Sequence, residues 1–233
     1  MANKPKLTFK IINSSENNYC IQINNKMAKT PNGNLIELPT LKLAKIILKD
    51  FQLKKSKMLA NIVSPVRITN TAIDKLVTSN YAYIEQLSAY LNSDVVCYFS
   101  YSPKDLVKKQ NKNWLPMIKF MQDEYNINIL YTSEISAISQ PKDSLAKLKK
   151  ILKSKNCFEL SAIGVLVQLT NSIIISLALV NDKINAKDAY EISNLEEIYQ
   201  SSFWGKDEEA FTRLKAISID IKNVKKYFEA IKE

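Results

Sequence analysis

Residues Leu160 to Val180 read LSAIGVLVQLTNSIIISLALV, 21 residues without a charged side chain. That length is enough to cross a bilayer, which takes about 20 apolar residues. Ser161, Gln168, Thr170, Asn171, Ser172 and Ser176 interrupt the run, however. Gln168 and Asn171 would fall near a bilayer midplane, where polar groups are expensive. A helix enclosed on all sides by the other helices of a bundle has the same composition. The flanking sequence decides between the two readings, because on both sides it supplies amphipathic helical patterns that need a central partner. The segment therefore reads as the hub of a helical bundle, one helix over 158–180, with no stable membrane insertion.

Downstream of the hub, helices are expected over 186–201 and 208–231. In the second, Leu214, Ile217, Ile221, Val224, Phe228 and Ile231 share one face. Asp207, Glu208 and Glu209 suit its positive N-terminal end, and Gly205 suits the turn before it. Upstream, a helix is expected over 144–153. Ser102-Pro103-Lys104-Asp105 carries a capping serine, proline at the first helical position and an acid three residues after the cap. Val107, Gln110, Trp114, Ile118, Met121 and Tyr125 follow on one stripe, with a kink expected at Pro116. Ile127 to Tyr131 reads as a short extended piece. Earlier still, Ser79 caps a helix with Ile84, Leu87, Leu91 and Val95 inward. Ile68, Ala72 and Leu76 form another helical face, and Thr40 caps a helix with Leu41, Ala44, Leu48 and Phe51 on one side.

The first forty residues have β character. Phe9 to Ile12 and Tyr19 to Ile23 alternate in part, and Asn24-Asn25 suits a tight hairpin because asparagine tolerates positive φ. Lys26 to Thr30 returns, Pro31-Asn32-Gly33 turns, and Leu35 to Leu38 adds a last short strand. The fold class is α+β: a small N-terminal antiparallel sheet with a covering helix, then a larger all-α bundle. The corresponding domains are 1–80 and 81–233.

Composition narrows function. The 233 residues carry 33 basic and 23 acidic side chains, a net charge of +10. Arg67 and Arg213 are the only arginines, so 33 − 2 = 31 of the basic residues are lysine. Arginine is the usual reader of phosphates and base edges, so nucleic-acid binding ranks as the alternative reading. The chain has no histidine and three glycines. Ser-His-Asp catalysis is therefore excluded, and a phosphate-cradling loop or dinucleotide fingerprint has no support. Cys20, Cys97 and Cys157 are odd in number, far apart and set among apolar neighbours, as buried reduced thiols are. The reading is a protein without catalytic residues, metal or cofactor.

Three clusters set polar groups beside apolar ones on helix faces. Arg67, Asn70 and Asp74 stack at spacings of three and four, either as a local Arg–Asp network or as a partner contact. Tyr90, Asp94, Tyr98 and Tyr101, followed by Gln110 and Trp114, read as packing and internal hydrogen bonding. Glu196, Glu197, Gln200 and Trp204 end one helix, Gly205 turns, and Asp207 opens the next. Glu196 and Glu197 fail as a catalytic pair because adjacent helical residues diverge by about 100°. A structural helix end and a partner-binding corner remain equally good readings.

At these residues the chain resembles the ATP synthase assembly chaperones of the Atp-twelve type, from about Tyr19 to about Ala210. Lys29-Thr30-Pro31-Asn32-Gly33 with Leu38-Pro39-Thr40 is similar to the family's early KTP-x-G and LPT segment. The run from Arg67 to Asp74 is similar to R-x-x-NTAID. Tyr90, Asp94, Cys97 and Tyr98, then Gln110, Trp114 and Pro116, match Y-x-x-x-D-x-x-CY and Q-x-x-x-W-x-P. LEEIYQSSFWGKDEEA, Leu195 to Ala210, resembles the signature L-[DE]-E-x-[WY]-Q-x-x-x-WG-x-D-x-EA. Asn171 departs where the family often has glycine, Tyr199 where tryptophan is common, and Leu115 where an acid usually precedes the proline. The resemblance implies a non-enzymatic chaperone, monomeric when free and without bound nucleotide. It would shield the β-contacting surface of the F-type ATP synthase α subunit. Partner-binding residues would be Glu196, Glu197, Gln200, Trp204, Gly205 and Asp207, with Arg67, Asn70 and Asp74 as a second patch. With no presequence read at the N-terminus, the bacterial cytoplasm is the expected compartment; eukaryotic relatives work in the mitochondrial matrix.

Overall fold

Strand β1 (Phe9–Asn13) pairs antiparallel with β2 (Tyr19–Ile23), Phe9 opposite Ile23 and Asn13 opposite Tyr19. Asn24 and Asn25 both take left-handed backbone angles, φ 49° and 63°, the geometry a two-residue hairpin needs to match strand twist. The chain then returns as β3 (Lys26–Met27), with Ile23 opposite Lys26. After a turn at Gly33, φ 86°, β4 (Glu37–Leu38) pairs with the other half of the same β2 edge, Leu38 opposite Tyr19. Strand β2 is thus the centre of a four-stranded antiparallel sheet. The computed structural model describes residues 7–14, 18–53, 63–204 and 208–232, and of Trp204 the backbone alone.

Helix α1 (Leu41–Leu53) covers the sheet, touching β1, β2 and β4. The Thr40 hydroxyl accepts from Leu43 N at 3.1 Å, as the sequence predicts for a cap. The buried stripe is Leu43, Ala44 and Ile47, rotated from the expected one, and Leu41 is exposed. The rotation follows from a second layer: α1 is also packed by later helices on the side away from the sheet.

Helix α2 (Pro65–Thr71) runs into a π-helical turn, Ala72–Leu76, where Val77 N bonds to Ala72 O at 3.1 Å. Helix α3 (Tyr81–Ala89) starts one residue later than expected, after Asn80. Helix α4 (Lys104–Tyr125) follows a cis Ser102–Pro103 bond. Pro103, extended, occupies the capping position itself, so Ser102 does not cap. The buried α4 stripe is Leu106, Gln110, Trp114, Met117, Phe120 and Met121, which keeps the expected centre and shifts its flanks. Residues 127–131 form no strand; the neighbouring Tyr98 and Thr132 make an isolated parallel bridge. Helices α5 (Lys142–Lys153), α6 (Cys157–Thr170), α7 (Ile173–Val180), α8 (Ala186–Ser193), α9 (Leu195–Trp204) and α10 (Glu208–Ile231) complete the bundle.

The hub is two helices, not one. Asn171 takes a left-handed conformation, φ 51°, and ends α6. Ser172 then caps α7 by accepting from Ile175 N at 2.9 Å. Every residue of α7 is buried. The polar interruptions serve this arrangement: Thr170 donates to Leu166 O at 2.8 Å and Ser161 donates to Ile68 O at 2.8 Å. Hydroxyls bonded in this way lie inside the bundle at little cost. No helix among the described residues is long and apolar enough to cross a membrane. The expected 186–201 helix is likewise divided, at Asn194, between α8 and α9.

Helix α10 packs on α6, α8 and α1. Hydrogen bonds among the described residues tie it to the N-terminal part of the chain. Thr40 donates to Ala230 O, the Thr69 and Tyr227 hydroxyls lie 3.0 Å apart, and Val63 N donates to Asp220 Oδ1 at 2.8 Å. One apolar core runs from Ile21 and Leu38 in the sheet to Phe228 and Ile231 in α10.

Candidate functional site

Glu196 lies on the first turn of α9 and faces α4. Its Oε1 accepts from Gln110 Nε2 at 2.6 Å and from Ser100 Oγ at 2.9 Å. Gln110 is fully buried, and its Oε1 in turn accepts from Ser100 N at 2.9 Å. One turn further along α4, the buried Trp114 donates its indole N–H to Ile192 O at 3.0 Å, at the end of α8. The Gln110 and Trp114 spacing seen in the sequence therefore fixes the α8–α9 junction to α4.

Glu197, the next residue, points elsewhere, as helical geometry requires. It pairs with Arg213 on α10, with both groups partly in water. The two helices meeting at this corner are thus joined by a carboxylate–guanidinium pair. An open cleft of about 570 Å³ lies here, with Glu196, Glu197, Gln200, Arg213, Gln168 and Asn171 in its walls. Gln200 is exposed. Phe203 and Phe211, on either side of the corner, are 68% and 54% exposed. Tyr199 packs against Phe203, ring centroids 4.9 Å apart, and carries Lys109 Nζ over its face at 5.2 Å. Trp204 is the last residue of α9. Its side chain, together with Gly205 and Asp207, lies outside the described residues. The corner thus brings together Glu196, Glu197 and Gln200. Arg213 and Ser100 join them without any sequence signal, because their partners are far away along the chain.

The second patch is dispersed. Arg67 is exposed on α2. Asn70 buries its Oδ1 without a hydrogen-bond partner among the described residues. Asp74, on the π-helical turn, bonds to the Thr30 hydroxyl at 2.5 Å and to Asn34 Nδ2 at 2.8 Å. Burial pushes its carboxyl up. The bonds from Thr30, Asn34 and the Asn32 backbone outweigh that and hold it below the usual carboxylate range. Asp74 therefore clasps the turn before β4, and the KTPNG and NTAID segments of the sequence are two sides of one contact.

Among the other singled-out residues Asp94, Cys97 and Trp114 are internal and Tyr98 is half-buried, whereas Pro116 is exposed and Tyr101, expected in the packing, is 88% exposed. Asp94 is fully buried: Oδ1 accepts from Val96 N at 3.2 Å and Oδ2 from Ile174 N at 3.1 Å. One carboxylate thereby caps two helical starts. Burial pushes it up to about 6 against the opposing bonds from Ser172, Ile174, Val96 and Ile173. Cys97 is buried, and burial pushes its thiol far above the ordinary range. The Tyr98 hydroxyl donates to Asn92 O and accepts from Ile138 N at 3.1 Å. Buried Gln140 brackets residue 130, donating to Leu130 O at 2.8 Å and accepting from Leu130 N at 2.9 Å.

Comparison with known proteins agrees with this picture. Residues 7–122 match the model of the ATP12 chaperone protein family. The mitochondrial protein atp12 of Schizosaccharomyces pombe (strain 972 / ATCC 24843), a curated relative, is 25% identical over 217 residues, 82% of this chain and 69% of the relative. The solved structure of a point mutant of Atp12p from P. denitrificans is similar with a TM-score of 0.84 at 25% identity, over 97% of this chain and 96% of that one. A candidate chaperone from Agrobacterium tumefaciens shares the fold with a TM-score of 0.89 at 24% identity, covering 96% of this chain and 84% of its own. Motif order, sheet-and-bundle architecture and these likenesses lead to one conclusion: the chain belongs to the ATP12 chaperone protein family and is an ATP synthase assembly chaperone.

Proposed function

We propose that this chaperone binds the α subunit of the F-type catalytic head at the α9–α10 corner, and that it covers the surface that later meets the β subunit. An unpaired subunit exposes a large apolar patch, and such patches associate indiscriminately. A stoichiometric cover removes that hazard. The β subunit then displaces the cover by burying more area, so no nucleotide hydrolysis is required. The observation that carries the reading is the exposed Glu197–Arg213 pair set beside solvent-facing Phe203 and Phe211. Aromatic groups and arginine are the residues that interface hot spots favour, and the signature resembling the chaperone family falls on the same corner.

The test is capture of newly made α subunit by the tagged full chain. Glu197→Lys puts a like charge against Arg213 and is expected to reduce capture by about tenfold or more, the equivalent of about 1.4 kcal/mol. A Glu197→Lys/Arg213→Glu double variant restores the ion pair with its polarity reversed. It is expected to regain thermal stability without regaining capture. Undiminished capture by Glu197→Lys with an intact circular dichroism spectrum rejects the assignment.

A further inference from the structure

We infer that the chain has a second docking surface, separate from the α9–α10 corner, which takes an acidic polypeptide segment carrying an apolar anchor. The surface is the cleft between residues 99–101 and 131–134 together with the lysine face of α4. It stands independently of the α-subunit reading, and either can fail without the other.

The cleft is lined by Phe99, Tyr101, Val107, Asn111, Tyr131 and Glu134. Its walls are held in place. Phe99 meets buried Trp114 edge-on at 5.3 Å and Tyr131 at 5.2 Å. Behind them, Phe99 N bonds to Thr132 O at 2.8 Å and Thr132 N bonds to Cys97 O at 2.9 Å. Tyr101 is nevertheless 88% exposed, and Ile135, just past the cleft wall, is fully exposed. Single exposed apolar residues are ordinary. A group of them around a preformed aromatic cleft is the pattern of an anchor site.

Charge specifies the occupant. From Lys104 to Lys119, α4 carries lysine at 104, 108, 112 and 119, besides Lys109 over Tyr199 at the corner, against the single acid Asp105. At about 100° per residue, Lys104, Lys108, Leu115 and Lys119 fall on one stripe with Asn111, which itself lines the cleft. A segment that seats an apolar side chain between Tyr101 and Tyr131 therefore runs its flanks along ammonium groups, and acidic flanks fit. A nucleic-acid strand fits less well. The stretch has no arginine, the usual bidentate reader of phosphates.

The test is fluorescence anisotropy with the full chain and three labelled probes: the peptide EELWEELEE, its counterpart KKLWKKLKK, and oligothymidine. The acidic peptide is expected to bind about tenfold or more tightly than either other probe. Tyr101→Ala/Tyr131→Ala should lower its affinity by about tenfold, and Lys104→Glu/Lys108→Glu should reverse the peptide preference. All four positions are surface ones, and circular dichroism verifies folding of each variant. Glu197→Lys should leave the acidic peptide's affinity unchanged. Equal binding of both peptides, tighter binding of oligothymidine, acidic-peptide binding that survives both double variants, or no binding of any probe overturns the proposal.

Discussion

Gln110 offers the sharpest probe of how the corner is held. In Gln110→Ala the charge-assisted bond to Glu196 disappears, worth about 1.5–3 kcal/mol, and Ser100 N loses its acceptor, costing about 1–3 kcal/mol more. Ser100 is only partly buried, so water recovers some of the second term, and a net loss of about 3–4 kcal/mol is expected. For a chain of this size that lowers Tm by about 6–16 °C. Gln110→Glu keeps the shape and the bond from Ser100 N, but sets a second carboxyl at the 2.6 Å contact with Glu196. Two carboxylates that close do not both ionise. At neutral pH this variant loses stability comparable to Gln110→Ala. On acidification the pair shares one proton and the bond to Glu196 re-forms. The folded state then binds more protons than the unfolded one, so the stability is present at low pH and lost as pH rises. The assay is thermal unfolding by circular dichroism of wild type and both variants between pH 4.5 and 7.5, about the range in which carboxyls raised by burial or pairing titrate. A Gln110→Ala Tm within about 2 °C of wild type refutes the reasoning, as does a Gln110→Glu curve parallel to wild type at every pH.

Three further outcomes follow from the packing. Gly164→Ala would place a Cβ 1.8 Å from the Tyr83 hydroxyl and 2.7 Å from its Cζ. A helix-propensity gain of about 1 kcal/mol is then outweighed by an overpacking cost of about 1–3 kcal/mol, whereas in a Tyr83→Ala background the same change should stabilise by about 1 kcal/mol in urea unfolding. Asn171→Gly should fall within a few tenths of wild type in urea, since glycine adopts the left-handed angle freely, while Asn171→Val should lose about 1–2 kcal/mol. Asp94 has its carboxyl pushed up to about 6 by burial, so its contribution is present below the ordinary carboxylate range and lost as pH rises through about 6. The Tm advantage of wild type over Asp94→Asn should therefore shrink from pH 4.5 to 7.5, a trend no histidine obscures; an advantage that grows with pH contradicts the assignment.

Where neighbouring residues set the conformation, the sequence was legible. Strand β2 ends where the alternation ends, the Asn24-Asn25 turn is read from two side chains, and α10 begins and ends as its acidic start and apolar face predict. Legibility failed where a distant group intervenes. The hub is apolar on both sides of its break, so periodicity carries no sign of it. The bond that seats α7 comes from Asp94, 80 positions before Ile174. In α4 the neighbours Leu106 and Val107 are both apolar, and only the surrounding helices select which faces in. The Arg67–Asp74 stripe assumed α-helical spacing through residue 76. The π-helical turn at Ala72–Leu76 breaks that spacing, and Asp74 bonds to Thr30 and Asn34 instead. At the corner, the grouping of Glu197 with Gln200 came from spacing, while Arg213 is on another helix, α10, and helical periodicity does not reach it. Glu196 looked like a partner contact and is largely committed to Gln110 and Ser100.

The placement of α10 has a consequence for biogenesis. Thr40 and its acceptor Ala230 are 190 positions apart, a separation that takes about 10–40 s to translate at 5–20 residues per second. Throughout that interval the outer side of the covering helix has α2 but not α10 as a partner, although the sheet beneath it is complete. The N-terminal layer therefore stays half sealed until α10 has left the ribosome.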